Sequence, residues 1–221
     1  DAAWRLLFTD KRHMRIYKLD GASVKDANGV RHLMEMIAQS SDEVMMVSSA
    51  MDQTTITLER LVEALSTGDE EVAEQAWLAV LDQHVYLMQD LGLKPNVDVR
   101  LPMMPEYNPD WSYDQNYDQI ISLGEIMFTQ ILAVFLLKNG IRTEWWNMPK
   151  LLRTDATWRK AQVDLQTSAQ VIRAGWNRAA RPQVVITQGG IGGTIDGMRT
   201  TLGEKGLDYS VALMECFLIS K

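Results

Sequence analysis

Four short stretches of this chain group residue types that can do chemistry. Lys18 ends an apolar segment and is followed by Asp20-Gly21-Ala22-Ser23. A lysine there can neutralise a phosphate while Gly21 lets the backbone come close, and a surface lysine beside a turn is the plainer alternative. Ser48, Ser49, Thr54 and Thr55 place hydroxyls at a helix entrance, where they either cap the helix or donate to a small ligand. Gly189 to Gly193, GGIGG, follows an apolar strand-like run but has neither the dinucleotide spacing nor a Walker A ending. Thr200 to Ser210, TTLGEKGLDYS, is the most specific of the four. Two hydroxyls, two glycines and Asp208 at a helix start suit a phosphate or a metal-linked anion, and Asp208 serves equally as a first-turn carboxylate facing the helix dipole. His13, His32, His84 and Cys216 lie far apart and no G-x-S-x-G occurs, so neither a metal site nor a serine triad is expected.

Loops of this kind work when a sheet aligns them, because ligands of open parallel sheets sit beyond the carboxyl ends of the strands. The chain alternates accordingly. Strands are expected at Arg15–Leu19, Glu43–Ser48, Thr143–Asn147, Leu151–Arg153 and Pro182–Thr187. EVMMVS, at 43–48, has the unbroken apolar density of a strand covered on both faces. Helices are expected over Asp26–Gln39, from Thr54 with Ile56, Leu58, Leu61, Val62 and Leu65 as the core stripe, and from beyond Gly68-Asp69 to Leu91. Others follow at Asp118–Asn139, Asp164–Ala179 and Leu207–Ile219. Residues 94–113 carry four of the six prolines and read as a lid-like loop. The tryptophans at 145, 146, 158 and 176 are expected to pack in the core or at strand edges. The whole predicts an α/β fold, a three-layer sandwich around a mostly parallel sheet.

Composition narrows the partners. With 221 residues, 46% of them hydrophobic, the chain can bury a core and is neither disordered nor fibrous. Twenty-two Lys and Arg against 29 Asp and Glu give a net charge of −7, so no nucleic acid and no anionic membrane is expected as a partner. The longest unbroken apolar run, Ile131–Leu137, falls short of the roughly 18–20 residues of a membrane span. A single cysteine, Cys216, points to a reducing, cytoplasmic setting. Residues 1–13 read as an extension before Met14, with no apolar core of a signal peptide.

Five collinear stretches together resemble the catalytic domain of aspartate kinases, in the amino-acid kinase family. Met14–Val24, MRIYKLDGASV, is similar to a strand followed by K-F-G-G-T/A-S-V. Met46–Thr55, MVSSAMDQTT, resembles VVSAMGKTT, and Tyr117–Thr129, YDQIISLGEIMFT, resembles YDQIVSYGELLST. Gly140–Asp164 is similar to the family's strand and "RTD" loop, and Ile186–Leu213 to ITQGFIG…TTTLGREGSDY-S/T-AA.

The resemblance implies transfer of the ATP γ-phosphoryl to the side-chain carboxylate of L-aspartate, with Mg2+ accompanying ATP and a homodimer left open. It implies Lys18 as the phosphate-stabilising lysine and Asp208 as organiser of the cationic groups. Glu125 would take the substrate's amino group, while Ser49 and Thr54 would contact substrate. Gly21, Ser23, Gly189, Gly192, Thr201 and Gly203 would bind phosphate. The departures are acidic: Asp20 and Asp52 stand where the family has glycine, and Glu204 where its arginine grips the substrate's α-carboxylate. Losing that charge-assisted bond costs about 1.5–3 kcal/mol. Residues 14–221 are expected to be the N-terminal, substrate-side part of such a domain, with the nucleotide lobe missing.

Overall fold

The structure, a computed structural model, describes residues 14–21, 24–40, 42–178 and 182–219. Its elements run β1 (Met14–Leu19), α1 (Ala27–Ala38), β2 (Glu43–Ser48), α2 (Thr54–Thr67), α3 (Glu70–Asp90), α4 (Tyr113–Lys138), β3 (Thr143–Trp146), α5 (Met148–Leu151), α6 (Leu165–Arg178), β4 (Val184–Gln188), β5 (Ile191–Gly193), β6 (Arg199–Thr201) and α7 (Gly206–Leu218). The main sheet has the order β1-β2-β4-β3 and every pairing in it is parallel. A separate β5-β6 hairpin is antiparallel. Helices cover both faces, giving the three-layer α/β architecture that the alternating pattern predicts.

The apolar density of β2 follows from its central place. Val44 and Met46 turn to one face and pack with α1 and α4, while Met45 and Val47 turn to the other and pack with α6 and α7. No face is left for polar residues. On α1, Asp26 caps the helix by accepting from Gly29 N–H at 2.9 Å, and Val30, Leu33 and Ile37 form the buried stripe. The α2–α3 pair and α4 enclose a third cluster around Leu58, Leu61, Trp77 and Val80. Gly68, in the left-handed region at φ +75°, ends α2, and Asp69 caps α3 through Val72 N–H at 3.1 Å.

Helix α4 is the spine. It is 26 residues long, and its apolar window, of mean hydropathy 2.1, is long and apolar enough to cross a membrane. Two-thirds of that window, 67%, is buried in the fold, because α4 packs against both the sheet and the α2–α3 pair.

Several elements depart from expectation. Ile56 is 62% exposed rather than part of the α2 stripe. Two residues before Leu58 on a helix of 100° per residue, it points away from the face that Leu58, Leu61 and Val62 bury. Leu151–Arg153 is not a strand: Pro149 opens the short helix α5, and Arg153 makes only an isolated bridge to Gly193. The α4 helix begins at Tyr113, where Ser112 caps it through Gln115 N–H at 3.1 Å. The segment 94–112 has no helix or strand, but it is pinned: Asp98 accepts from Lys94 N–H at 2.7 Å and pairs with Lys138 at 2.7 Å.

Candidate active site

The parallel strands β1, β2 and β4 end on one side of the sheet, and beyond them opens a cleft of about 840 Å3. Ser49 from the end of β2, Glu125 from α4, Gly190 after β4 and the 203–207 turn line it. Beside it, Lys18 near the end of β1 donates from Nζ to Asp208 Oδ1 at 2.5 Å, tying the first strand to the last helix. The two side chains are 41% and 62% exposed, so the cation stays open to a ligand. The hydrogen bond to Asp208 holds the Lys18 ammonium above its ordinary pKa, and it is charged at neutral pH.

Glu125 is the second anchor. Its Oε2 accepts from the Gly189 N–H at 3.1 Å and the Gly190 N–H at 2.9 Å. Burial pushes its carboxyl up to about 7, against the opposing pull of those two N–H groups. A Cβ on residue 190 would stand 2.6 Å from Glu125 Oε1, so a larger residue there would push the carboxylate aside.

Asp118 does comparable work about two turns toward the start of α4. It is fully buried, and its Oδ2 accepts from the N–H groups of Arg159 at 3.0 Å and Thr201 at 2.9 Å. Its Oδ1 accepts from the Thr201 hydroxyl at 2.6 Å. Burial raises its carboxyl above the ordinary aspartate range. Arg159, held at φ +65°, lays its guanidinium 4.2 Å over the Tyr117 ring and pairs with Asp114 at 3.3 Å. Burial, with the Glu59 carboxylate at 2.6 Å, pushes the Tyr117 phenol up to about 12.

The residues singled out by sequence divide in place. Lys18, Asp208, Ser49, Glu125, Gly203 and Glu204 gather at the cleft or its rim. Thr54 does not reach it: fully buried, it donates to Gln83 at 3.1 Å, and Thr55 lines the cleft instead. Thr201 lines the cleft, but both its donors are committed to Asp118, so it has none left for a phosphate. The Gly189 N–H is likewise taken by Glu125 and by Ser48 C=O at 2.9 Å. Gly192 pairs with Thr200 in the hairpin, where a Cβ would meet Leu152 C=O at 2.9 Å. Gly21 presses on the backbone of the next loop, its would-be Cβ 2.7 Å from Ala50 C=O. Ser23 lies outside the described residues.

Trp158 lines the cleft rather than the core, whereas Trp146 is buried edge-on to Trp176 at 6.1 Å. Sequence reasoning passed over Asp118 and Arg159. The signal for Asp118 was a lone acid at helical spacing from Glu125 inside an apolar helix. The charge balance of the cleft is acidic: Glu59, Asp114, Glu125 and Glu204 face Arg159 and Lys160.

The sequence profile of the amino acid kinase family matches residues 13–214. Lysine-sensitive aspartokinase 3 of Escherichia coli is 25% identical over 207 residues, which cover 90% of this chain and 45% of that protein. A chloroplastic bifunctional aspartokinase/homoserine dehydrogenase of Daucus carota is 23% identical over 219 residues, covering 92% of this chain and 23% of that protein. Among solved structures, E. coli aspartokinase III in complex with aspartate and ADP superposes with a TM-score of 0.75 at 22% identity, over 93% of this chain and 47% of that one. The aspartate kinase of Clostridium acetobutylicum superposes with a TM-score of 0.69 at 15% identity, over 94% and 45%. The chain spans less than half the length of these proteins, and it shares the fold of the solved aspartate kinases. On the match over residues 13–214, the chain belongs to the amino acid kinase family.

Proposed function

We propose that the cleft is a phosphoryl-transfer site of the aspartokinase type. It would move the γ-phosphoryl of ATP to the side-chain carboxylate of L-aspartate and so open the lysine, threonine and methionine branch of amino-acid biosynthesis. The observation that carries this reading is the Lys18–Asp208 pair, which holds a charged, accessible ammonium at the carboxyl end of β1 beside a cleft. The described chain would be the substrate side of the domain, acting in the cytoplasm, with its exposed single cysteine kept reduced.

A carboxylate is already a nucleophile. One of its oxygens bonds to the γ-phosphorus as the bond to the β–γ bridging oxygen breaks, ADP leaves, and an acyl phosphate forms without proton transfer. The protein's contribution is position and charge. Lys18 would offset charge on the transferring group, and Asp208 holds that lysine in place. Glu125 would receive the substrate's ammonium, which draws the carboxyl from about 7 toward its ionised form. Among the described residues no group of three or more His, Cys, Asp or Glu gathers as a metal cage. That suits Mg2+, which is bound through one or two carboxylates and the substrate phosphates. Asp208, whose side chain is 62% exposed beside the cleft, is the residue that would hold it, and the ion would supply charge neutralisation.

A second reading, an impaired or inactive relative that binds or regulates, is favoured by Glu204, an exposed anion lining the cleft. The 221-residue chain is therefore expected to show weak or no aspartate-dependent ADP release. Binding is the sharper test. Glu204→Arg combined with Asp20→Gly is expected to tighten L-aspartate by about ten- to a hundredfold, measured by calorimetry. If neither form binds L-aspartate, the aspartokinase reading fails; if the wild type binds and releases ADP robustly, the impaired reading fails.

A further inference from the structure

On the far edge of the sheet from Lys18 lies a second concavity, of about 760 Å3, that the phosphoryl-transfer reading does not use. It follows β3, whose only strand partner among the described residues is β4, so the other edge of β3 offers its backbone N–H and C=O groups outward. Both Trp145 and Trp146 line it, although consecutive strand residues point to opposite faces of a sheet. The groove therefore runs along the edge itself and takes side chains from both faces.

Its two walls differ in chemistry. On the α4 side stand Trp145, whose indole N–H donates to Thr129 at 3.0 Å, and Leu137, which is 51% exposed. On the other side, with α5 and α6, stand Trp146, Lys150 and Arg178. Arg142, Lys150 and Arg178 are all exposed, in a chain whose net charge is −7. The groove's one acid, Glu144, already accepts from the Trp146 indole at 3.0 Å.

We propose that this edge binds an extended segment of another protein in which acidic residues alternate with apolar ones, added to β3 as a further strand. Period-two alternation puts every acidic side chain on the cationic wall and every apolar one on the Trp145–Leu137 wall, while backbone hydrogen bonds supply sequence-independent affinity. A second copy of this chain is the poorer occupant. Pairing β3 with its symmetry mate would bring Arg142, Lys150 and Arg178 against the same cations, a like-charge cost.

The test uses the 221-residue chain and a fluorescein-labelled octapeptide of alternating Glu and Val, read by anisotropy. Binding is expected to saturate and to weaken about tenfold or more on raising salt from about 50 to about 500 mM. Arg142→Glu with Arg178→Glu should weaken it to a similar extent, and Lys150→Glu, on a separate element, should weaken it as well. Circular dichroism confirms that each variant is folded. A Lys-Val octapeptide, and a Glu-Val octapeptide N-methylated at alternate residues so that one edge cannot donate, should fail to bind. Equal binding of the acidic and basic peptides, unimpaired binding of both N-methylated registers, or no binding at all overturns the proposal. So does a concentration-dependent dimer, seen by sedimentation, that the Arg142→Glu and Arg178→Glu changes abolish, because the edge would then belong to a second copy.

Discussion

A buried carboxylate is costly unless donors surround it, and Asp118 shows what such a group gains in return. Its three accepted hydrogen bonds join α4 to the backbone of Arg159 and to the backbone and side chain of Thr201. Two segments distant in sequence are thereby fixed on the cleft wall. The same bonds commit the Thr201 N–H and hydroxyl to a protein acceptor in this structure. Asp118→Ala would leave all three donors without an acceptor in the interior. The expected cost is about 2–4 kcal/mol in unfolding free energy, measured with urea. A loss below about 1 kcal/mol would mean that the 153–164 loop and β6 hold their places without it. Asp118→Asn should fall between, since it keeps the shape but turns one acceptor into a donor facing donors.

Asp118 is one of a set that only the helix makes visible. Asp118, Ser122, Glu125 and Thr129 fall three or four residues apart on α4, and they bond respectively to Thr201, Arg199, the Gly189–Gly190 backbone and Gln188. A polar stripe on a buried helix thus fastens the hairpin and the β4 loop. Its spacing was present in YDQIISLGEIMFT, yet reading that stretch for chemistry singled out Glu125 alone, because the partners of the others come from β6 and β4, some 60 to 80 residues away. The sheet was more legible. The apolar density of β2 and β4 reports directly that both faces are covered, whereas Leu151–Arg153 is too short for apolar run and strand to be distinguished. Loop geometry was least legible. Asp52 occupies φ +35° in the turn between β2 and α2, where the family's glycine would sit without strain. Asp52→Gly is therefore expected to raise stability by about 0.5–1 kcal/mol, read as a higher urea midpoint at unchanged slope. Asp52→Ala should give no such gain, because alanine carries the same Cβ into the left-handed region.

At the scale of the whole molecule, two titratable groups, His84 in the core and the half-buried Glu125 at the cleft, set opposing pH dependences. Glu125 has its carboxyl raised from 4.5 to about 7, so the folded state binds its proton more tightly than the unfolded chain does. Its contribution is fully present below pH 4.5 and is lost as pH rises through about 7. His84 behaves in the opposite sense. Fully buried in α3, it meets Val80 C=O through Nδ1 at 2.7 Å and leaves Nε2 without a partner. Burial lowers its pKa from 6.5, so the unfolded chain takes the proton first and stability falls as pH drops below 6.5. Just below pH 6.5 the two slopes act against each other, and wild-type stability should vary less there than that of either single variant. Each single substitution should unmask the other group. Glu125→Gln should leave a protein that loses stability on acidification below pH 6.5, by up to about 1.4 kcal/mol per pH unit. His84→Leu should leave one whose stability declines as pH rises from 4.5 toward about 7. Urea unfolding at half-unit pH steps measures both. Parallel profiles for the two variants would show that these groups do not govern the pH dependence, since one ionises on gaining a proton and the other on losing it.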